Sequence, residues 1–281
     1  DNMLELIPHV DSTKYNKLMT KAHEFFRSKG FTEVYVQNRL TILAACEDPK
    51  TIQTFNYLGK VWPLPQTTQM LLEDILLTEP QHKGLYTVST SYRQEPNPIP
   101  NRHNCIFGLL EFETHGGIEA LQKLEHEFLM YLGFQEPTVR IKYEDACKQY
   151  GVTELDHSHE ERMYRELSHI VYLTHFPESS SPFFNMKRNE TNSSLANKID
   201  VIICGQETIG SAERSCDKEQ MRRDFYTISN GEYSGLLFKH FGRDRVEAEL
   251  DKFLSHDFFQ RSGGGIGITR LMRGMELCGL L

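Results

Sequence analysis

The stretch 91–114, SYRQEPNPIPNRHNCIFGLLEFET, decides how the chain is read. Its flanks are apolar and rich in β-formers, with GLYTVSTSYR over 84–93 and CIFGLLEFET over 105–114. Between them Pro96, Pro98 and Pro100 rule out a continuous ladder, because proline lacks the N–H a sheet requires. The pattern predicts two strands joined as a hairpin with a long tip. Such a hairpin would gather Arg93, Arg102, Phe107 and Glu111 around one pocket, a seat for an anion, a ring and an ammonium.

On the N-terminal side, residues 12–29 begin with Ser/Thr cap candidates. They place Tyr15, Leu18, Met19, Ala22, Phe25 and Phe26 at helical spacing and stop at Gly30, which predicts an amphipathic helix. Phe31, Val34 and Val36 predict a strand directly after it. A short strand is expected over 60–66, then a helix on TTQMLLEDILL capped by Thr67 or Thr68 and closed before Pro80. Leu121, Leu124, Phe128 and Leu132 predict a helix over 118–132.

On the C-terminal side, periodicity weakens over 141–195, and a variable insertion is expected near 135–195. KIDVIICGQETIGSAER (198–214) predicts a strand, a turn at Gly205 and a second strand. DKEQMRRDFYTI and DRVEAELDKFLSH read as helices, and GGGIGITRLMRGMEL (263–277) as a glycine turn entering a terminal helix. Hairpins outnumber βαβ units, so the expected fold class is α+β: an antiparallel sheet flanked by helices, as one domain across 1–281.

Composition narrows the function classes. With 281 residues and 39% hydrophobic content the chain can bury a full core. No apolar run approaches the roughly 18–20 residues of a membrane-spanning helix, so no membrane partner is expected. A net charge of −8 gives no global footprint for nucleic acid. Six scattered cysteines without a Cys-x-x-Cys argue against a zinc ribbon or disulfide scaffold, and no secretory signal is read, so a reducing, cytoplasmic location is expected. The sequons at Asn189 and Asn192 are read as chance in a polar loop. His157 and His159 in DHSHEER are read as solvated rather than metal-binding.

Three strings carry chemistry. A glycine run followed by a helix whose first turn bears Arg270 suits a polyphosphate, although glycine runs are also ordinary turns. Arg93 at a strand end can clamp a phosphate, Phe107 can stack on a base, and Arg102 and His103 on the loop can reach outer phosphates. Asp200 and Glu207 are carboxylates suited to Mg²⁺, while Arg214 is a cation suited to a substrate carboxylate. Taken singly, each string also reads as an exposed turn, strand pair or hairpin.

In this order the strings resemble the signature motifs of class II aminoacyl-tRNA synthetases, nearest to the aspartyl/asparaginyl subgroup and its relatives, the stand-alone asparagine synthetases. The helix at 14–29 with GFTEVYV is similar to motif 1, YRQE…RH…FGLLEFE to motif 2 and GGGIGITRL to motif 3. LPQTTQ (64–69) is similar to the amino-acid-binding segment of the aspartyl enzymes, and GQETIGSAER to their second acidic strand segment. The resemblance implies an ATP- and Mg²⁺-dependent ligase that adenylates asparagine or aspartate, working as a homodimer. Ammonia or tRNA would accept the activated acid. It implies catalytic roles for Arg93 at the α-phosphate and Arg270 at the γ-phosphate. Glu95, Arg102, His103, Phe107, Gly265 and Gly267 would complete the ATP site. Gln66, Gln69, Glu111 and Arg214 would hold the amino acid, and Asp200 and Glu207 the metal.

Several positions depart from that pattern. VYVQNRL lacks the proline that usually ends motif 1, Ile106 replaces a glutamate before Phe107, and Leu72 stands where aspartyl enzymes place a lysine. Leu72 and the form of FGLLEFE favour an amide substrate. About a dozen residues precede the first helix, so no anticodon-binding barrel is read in this chain. A catalytically retired paralogue acting as a binding or regulatory module is the alternative reading.

Overall fold

The computed structural model describes residues 9–100 and 102–281. The chain runs α1 (Ser12–Ser28), β1 (Thr32–Glu33), β2 (Thr54–Tyr57), β3 (Lys60–Pro63), α2 (Gln69–Thr78), β4 (Gly84–Tyr92), β5 (Ile106–His115) and α3 (Ile118–Leu132). It continues through β6 (Val139–Lys142), α4 (Tyr143–Tyr150), α5 (His157–Glu166), β7 (Ile170–Pro177), β8 (Leu195–Ile203) and β9 (Gln206–Glu213). Last come α6 (Lys218–Thr227), α7 (Glu232–Phe241), α8 (Arg243–Leu254), β10 (Arg261–Gly267) and α9 (Ile268–Leu277). Among the described residues no helix is long and apolar enough to cross a membrane.

The expected α+β class is what the structure shows. One eight-stranded sheet has the order β1-β4-β5-β10-β9-β8-β7-β6, antiparallel except at its two edges. The β4/β5 hairpin pairs from Gly84↔Thr114 to Tyr92↔Ile106, leaving the proline-rich segment as its tip.

One sheet face is covered by α1, α3 and α9. Phe26 of α1 lies 5.1 Å from the ring of Tyr86 on β4 and also meets Phe112 and Phe128. The α1 cap is Asp11, whose carboxylate accepts from the backbone of Thr13 and Lys14 at 3.0 Å, rather than the Ser/Thr pair beside it. On the opposite face α6, α7 and α8 form a second apolar layer around Phe184, Phe225 and Tyr233. The open centre of that face is the site.

Three expectations need correction. The glycine run is not a turn: β10 is a central strand, flanked by β5 and β9. A period of two cannot be seen where side chains are absent. A Cβ on Gly263 would lie 1.9 Å from Glu113 Oε1, and one on Gly264 2.6 Å from Ser211 Cβ, so glycine is required for the strands to fit. The strand after α1 shrinks to Thr32–Glu33. The segment near 135–195 is continuous with the sheet, since β7 pairs along β8 and β6 forms the edge beside it.

Candidate active site

An open cavity of about 500 Å³ lies on the uncovered sheet face, and every site residue expected from the sequence lines it. The sheet register explains the convergence. Partners across neighbouring strands share a face, so Thr87, Glu111, Gly265, Gly210 and Asp200 form one row across β4, β5, β10, β9 and β8. Glycines hold the middle of the row and carboxylates flank them, which leaves a floor where a ligand can lie against backbone. The next row toward β10's start is Leu85, Glu113, Gly263, Ala212 and Lys198.

At one end Arg93 follows β4, its Nη2 3.1 Å from Glu95. Its Nε is buried with no hydrogen-bond partner, a donor left for a ligand. Burial works against the Arg93 charge, but Cys46, Glu95, Glu47 and Asp48 around it carry its pKa above the ordinary value. Arg270 in the first turn of α9 donates to the carbonyls of Glu207 (2.6 Å) and Arg102 (2.9 Å). His103 has its pKa lowered by burial, and its Nδ1 accepts from the amide of Ile99, which leaves Nε2–H as the free donor.

Glu111 is buried, and burial raises its pKa. It accepts from the Thr68 amide (2.6 Å) and from the hydroxyls of Thr67 and Thr68. The Thr68 hydroxyl is thereby drawn away from capping α2, the role its position suggests.

Arg214 makes a bidentate pair with Glu113, Nη2 to Oε1 at 2.8 Å and Nε to Oε2 at 3.2 Å, both side chains almost wholly buried. Its Nη1 makes no hydrogen bond among the described residues. Behind this pair, Arg261 donates to Glu73, which also accepts from Asn185 and Gln69.

Gln66 differs from expectation. Its Oε1 accepts from Cys46 N at 2.9 Å and its Nε2 donates to the carbonyl and hydroxyl of Thr51, so the amide holds loop 46–51 in place. It shapes the wall and has little left to offer an amino acid.

Asp200 and Glu207 flank Gly210. A Cβ there would lie 3.0 Å from Glu207 Oε1 and 4.0 Å from Asp200 Oδ1, so the missing side chain keeps a cradle open between the carboxylates. Asp200 Oδ1 is buried without a hydrogen bond. Burial pushes this carboxyl well above its usual range; Lys198 pulls it back. Among the described residues no group of three or more His, Cys, Asp or Glu suits a metal. Two carboxylates beside a phosphate seat nonetheless fit Mg²⁺, which retains waters and takes phosphate oxygens for its other positions.

Among the cavity residues that the sequence does not single out are Lys198, Glu47 and Cys46. Lys198 was legible in principle, since it stands two residues before Asp200 and so shares its strand face. His159 closes a capping box with Asp156 at the start of α5 and takes no part in the site.

A glycine-floored cavity, with arginines at one end, two carboxylates along one bank and a buried ion pair at the other end, is the kind of site that adenylate-forming ligases need. A profile of the family "tRNA synthetases class II (D, K and N)" matches residues 13–279. The chain therefore belongs to that family.

Among curated relatives, the cytoplasmic asparagine–tRNA ligase of Dictyostelium discoideum is 26% identical over 63% of this chain and 32% of its own length. A lysine–tRNA ligase of Campylobacter jejuni subsp. doylei is 21% identical over 92% of this chain and 59% of its own. The Pyrococcus horikoshii asparaginyl-tRNA synthetase complexed with asparaginyl-adenylate superposes with a TM-score of 0.78 at 21% identity, covering 94% of this chain and 65% of that one. The chain thus spans from a third to two-thirds of the proteins it resembles.

Proposed function

We propose that the chain uses ATP to adenylate asparagine or aspartate, with asparagine favoured, and passes the acyl group to tRNA. The observation that supports this best is the single row in which Glu111 and Asp200 stand either side of Gly265 and Gly210, with the unpartnered Arg93 Nε buried in the same cavity.

In the proposed reaction the α-carboxylate of the amino acid attacks the α-phosphorus of ATP in line and pyrophosphate leaves. The attacking oxygen is already ionised, so no general base is needed. Arg93 donates to the α-phosphate oxygens as charge builds on them, an interaction fixed in advance by its buried seat. Arg270 and His103 meet the outer phosphates, and Phe107 stacks on the adenine. Asp200 and Glu207 would hold Mg²⁺, which neutralises phosphate charge when bound. Glu111, held by Thr67 and Thr68, accepts the substrate ammonium.

The side-chain end favours Asn over Lys or Asp on charge. A lysine ammonium would face Arg214 and Lys198. An aspartate carboxylate would find Arg214 already paired with Glu113 and Lys198 already paired with Asp200, and Leu72, wholly buried, offers it no further cation. A carboxamide, at once donor and acceptor, matches a carboxylate–guanidinium pair. Ammonia as acceptor, as in an asparagine synthetase, is the second reading. The net charge of −8, which offers a nucleic acid no global footprint, is the observation that favours it.

ATP–pyrophosphate exchange across all twenty amino acids, with Arg93→Ala as control, tests the proposal. Exchange with asparagine that the variant loses supports it, and a product assay with tRNA or ammonia then names the acceptor. Folded protein that exchanges with none of them would instead point to a retired paralogue.

A further inference from the structure

Four residues from four separate segments close a ring at the phosphate rim of the cavity. Arg270 of α9 donates to the carbonyls of Glu207 on β9 and Arg102 on the 93–105 loop. The Arg102 guanidinium pairs with Glu160 Oε2 of α5, and Glu160 Oε1 accepts from the Glu207 amide at 2.7 Å. Arg270 and Glu207 already have places in the proposed reaction, and the sequence resemblance places Arg102 at the ATP site. Glu160 has none.

The seat of Glu160 is built rather than incidental. Its side chain is 16% exposed and that of Arg102 11%, so the pair is largely out of water. The α5 backbone is pressed against the β8/β9 turn: a Cβ on Gly205 would lie 3.3 Å from Glu161 Cα, and the turn residue has φ +82°. Each oxygen of Glu160 accepts one hydrogen bond, Oε2 from Arg102 and Oε1 from the Glu207 amide. The loop it grips is tied at its ends by Gln94, whose amide donates to Thr51 O, and by Asn104, which donates to Thr269 Oγ1 at 3.3 Å. Between them the hydrogen bonds of the loop's described residues are its own turn, with Arg102 N and His103 N donating to Ile99 O at 3.1 and 2.9 Å and Ile99 N to His103 Nδ1, together with those of Arg270 and Glu160 with Arg102. A proline-rich tip held so sparsely would lose conformational freedom on meeting a nucleotide, unless something had ordered it beforehand.

We propose that Glu160 is a positioning residue for nucleotide binding: it holds Arg102 and the 93–105 loop against the Glu207 hairpin before ATP arrives, so the triphosphate meets a preformed rim. The inference rests on the ATP-dependent reading above. It also assigns a task to α5, in the segment whose sequence shows no motif. Removing Glu160 leaves Arg102 as a largely buried cation without its partner and frees the loop.

The test uses the full chain with Glu160→Ala and Glu160→Gln, the latter keeping size and an acceptor for Glu207 N but not the charge. In ligand-free protein, amide hydrogen exchange over 94–104 should quicken several-fold in the alanine variant and less in the glutamine one, with β5 and β10 unchanged. In pyrophosphate exchange the KM for ATP should rise about tenfold, as expected when a phosphate-binding group loses its orientation. The KM for the amino acid and kcat should stay within about twofold. Unaltered loop exchange, or a parallel rise of both KM values, would overturn the proposal. If no amino acid supports pyrophosphate exchange in the parent protein, the adenylation reading fails, and the hydrogen-exchange comparison still decides whether Glu160 holds the loop.

Discussion

Lys198 directs its ammonium at Asp200, Nζ to Oδ1 at 3.5 Å, while lying 4.2 Å over the ring of Phe176. The protein thus places a cation of its own beside a carboxylate proposed to hold Mg²⁺. The two cations compete for one oxygen, so Lys198→Met should bind Mn²⁺, a spectroscopic stand-in, several-fold more tightly in the presence of ATP. Paramagnetic resonance titration of free Mn²⁺ reads this directly, and weaker or unchanged binding would mean that Lys198 helps hold the site open instead.

The Glu113/Arg214 pair is a second point of leverage. Arg214→Met leaves a carboxylate buried without its partner and should cost about 3–5 kcal/mol in urea unfolding. Replacing both, as Glu113→Gln with Arg214→Met, should recover much of the loss. If the double variant is as unstable as the sum of the two singles, the pair is not the unit described.

The glycines of β10 divide by what their missing side chains would meet. Gly263→Ala forces a methyl to 2.3 Å from the Phe112 carbonyl oxygen, in addition to its clash with Glu113, and should fail to fold stably. At Gly267 the nearest atom to a new Cβ is 3.7 Å away, ordinary contact, so Gly267→Ala should keep its melting temperature. It should lose ATP affinity, because that methyl enters the floor on which the nucleotide is proposed to lie. Normal ATP binding by Gly267→Ala, followed by calorimetry, would remove the glycine from the site.

Glu125 of α3 is wholly buried under β9, with the Ser211 hydroxyl as its only hydrogen-bond donor among the described residues. Burial pushes its pKa up to about 8, with Ser211 working against the shift and Asp200 adding to it. The folded protein therefore keeps this proton to about pH 8, whereas the unfolded chain releases it near the ordinary glutamate value of 4.5. Between those values the folded state binds more protons, so stability falls as pH rises. Glu125→Gln should match the parent below about pH 4.5 and gain on it as pH rises, by on the order of 2 kcal/mol between pH 6 and pH 8. A stability difference that does not grow with pH would contradict this.

Much of this architecture is legible from side-chain periodicity. The α3 boundaries and the β4/β5 hairpin follow from apolar spacing and proline positions, and the cavity residues follow because motif order places them on adjacent strands. β10 was misread since glycines carry no alternation. α7 went unread because Gly231, Gly235 and Gly242 punctuate a segment whose Tyr233, Leu237 and Phe241 are all buried. Glu160 stands 58 positions from Arg102 in a polar helix start, and only folding brings the two together. Gln66 was assigned by resemblance to the ligand, but its amide atoms are engaged with the backbone.

The strand order carries a consequence for how the protein is made. Residues up to His115 supply β1, β4 and β5, and residues 139–213 supply β6 to β9. Among the described residues the only strand that touches both groups is β10, the last of the ten, with Arg261 opposite His115 across 146 positions of sequence. During synthesis two half-sheets can pair within themselves, yet neither bank of the cavity faces the other until Arg261–Gly267 leaves the ribosome. Ligand recognition is thus withheld from the nascent chain, and an interrupted translation product lacks the bridge on which both halves of the site depend.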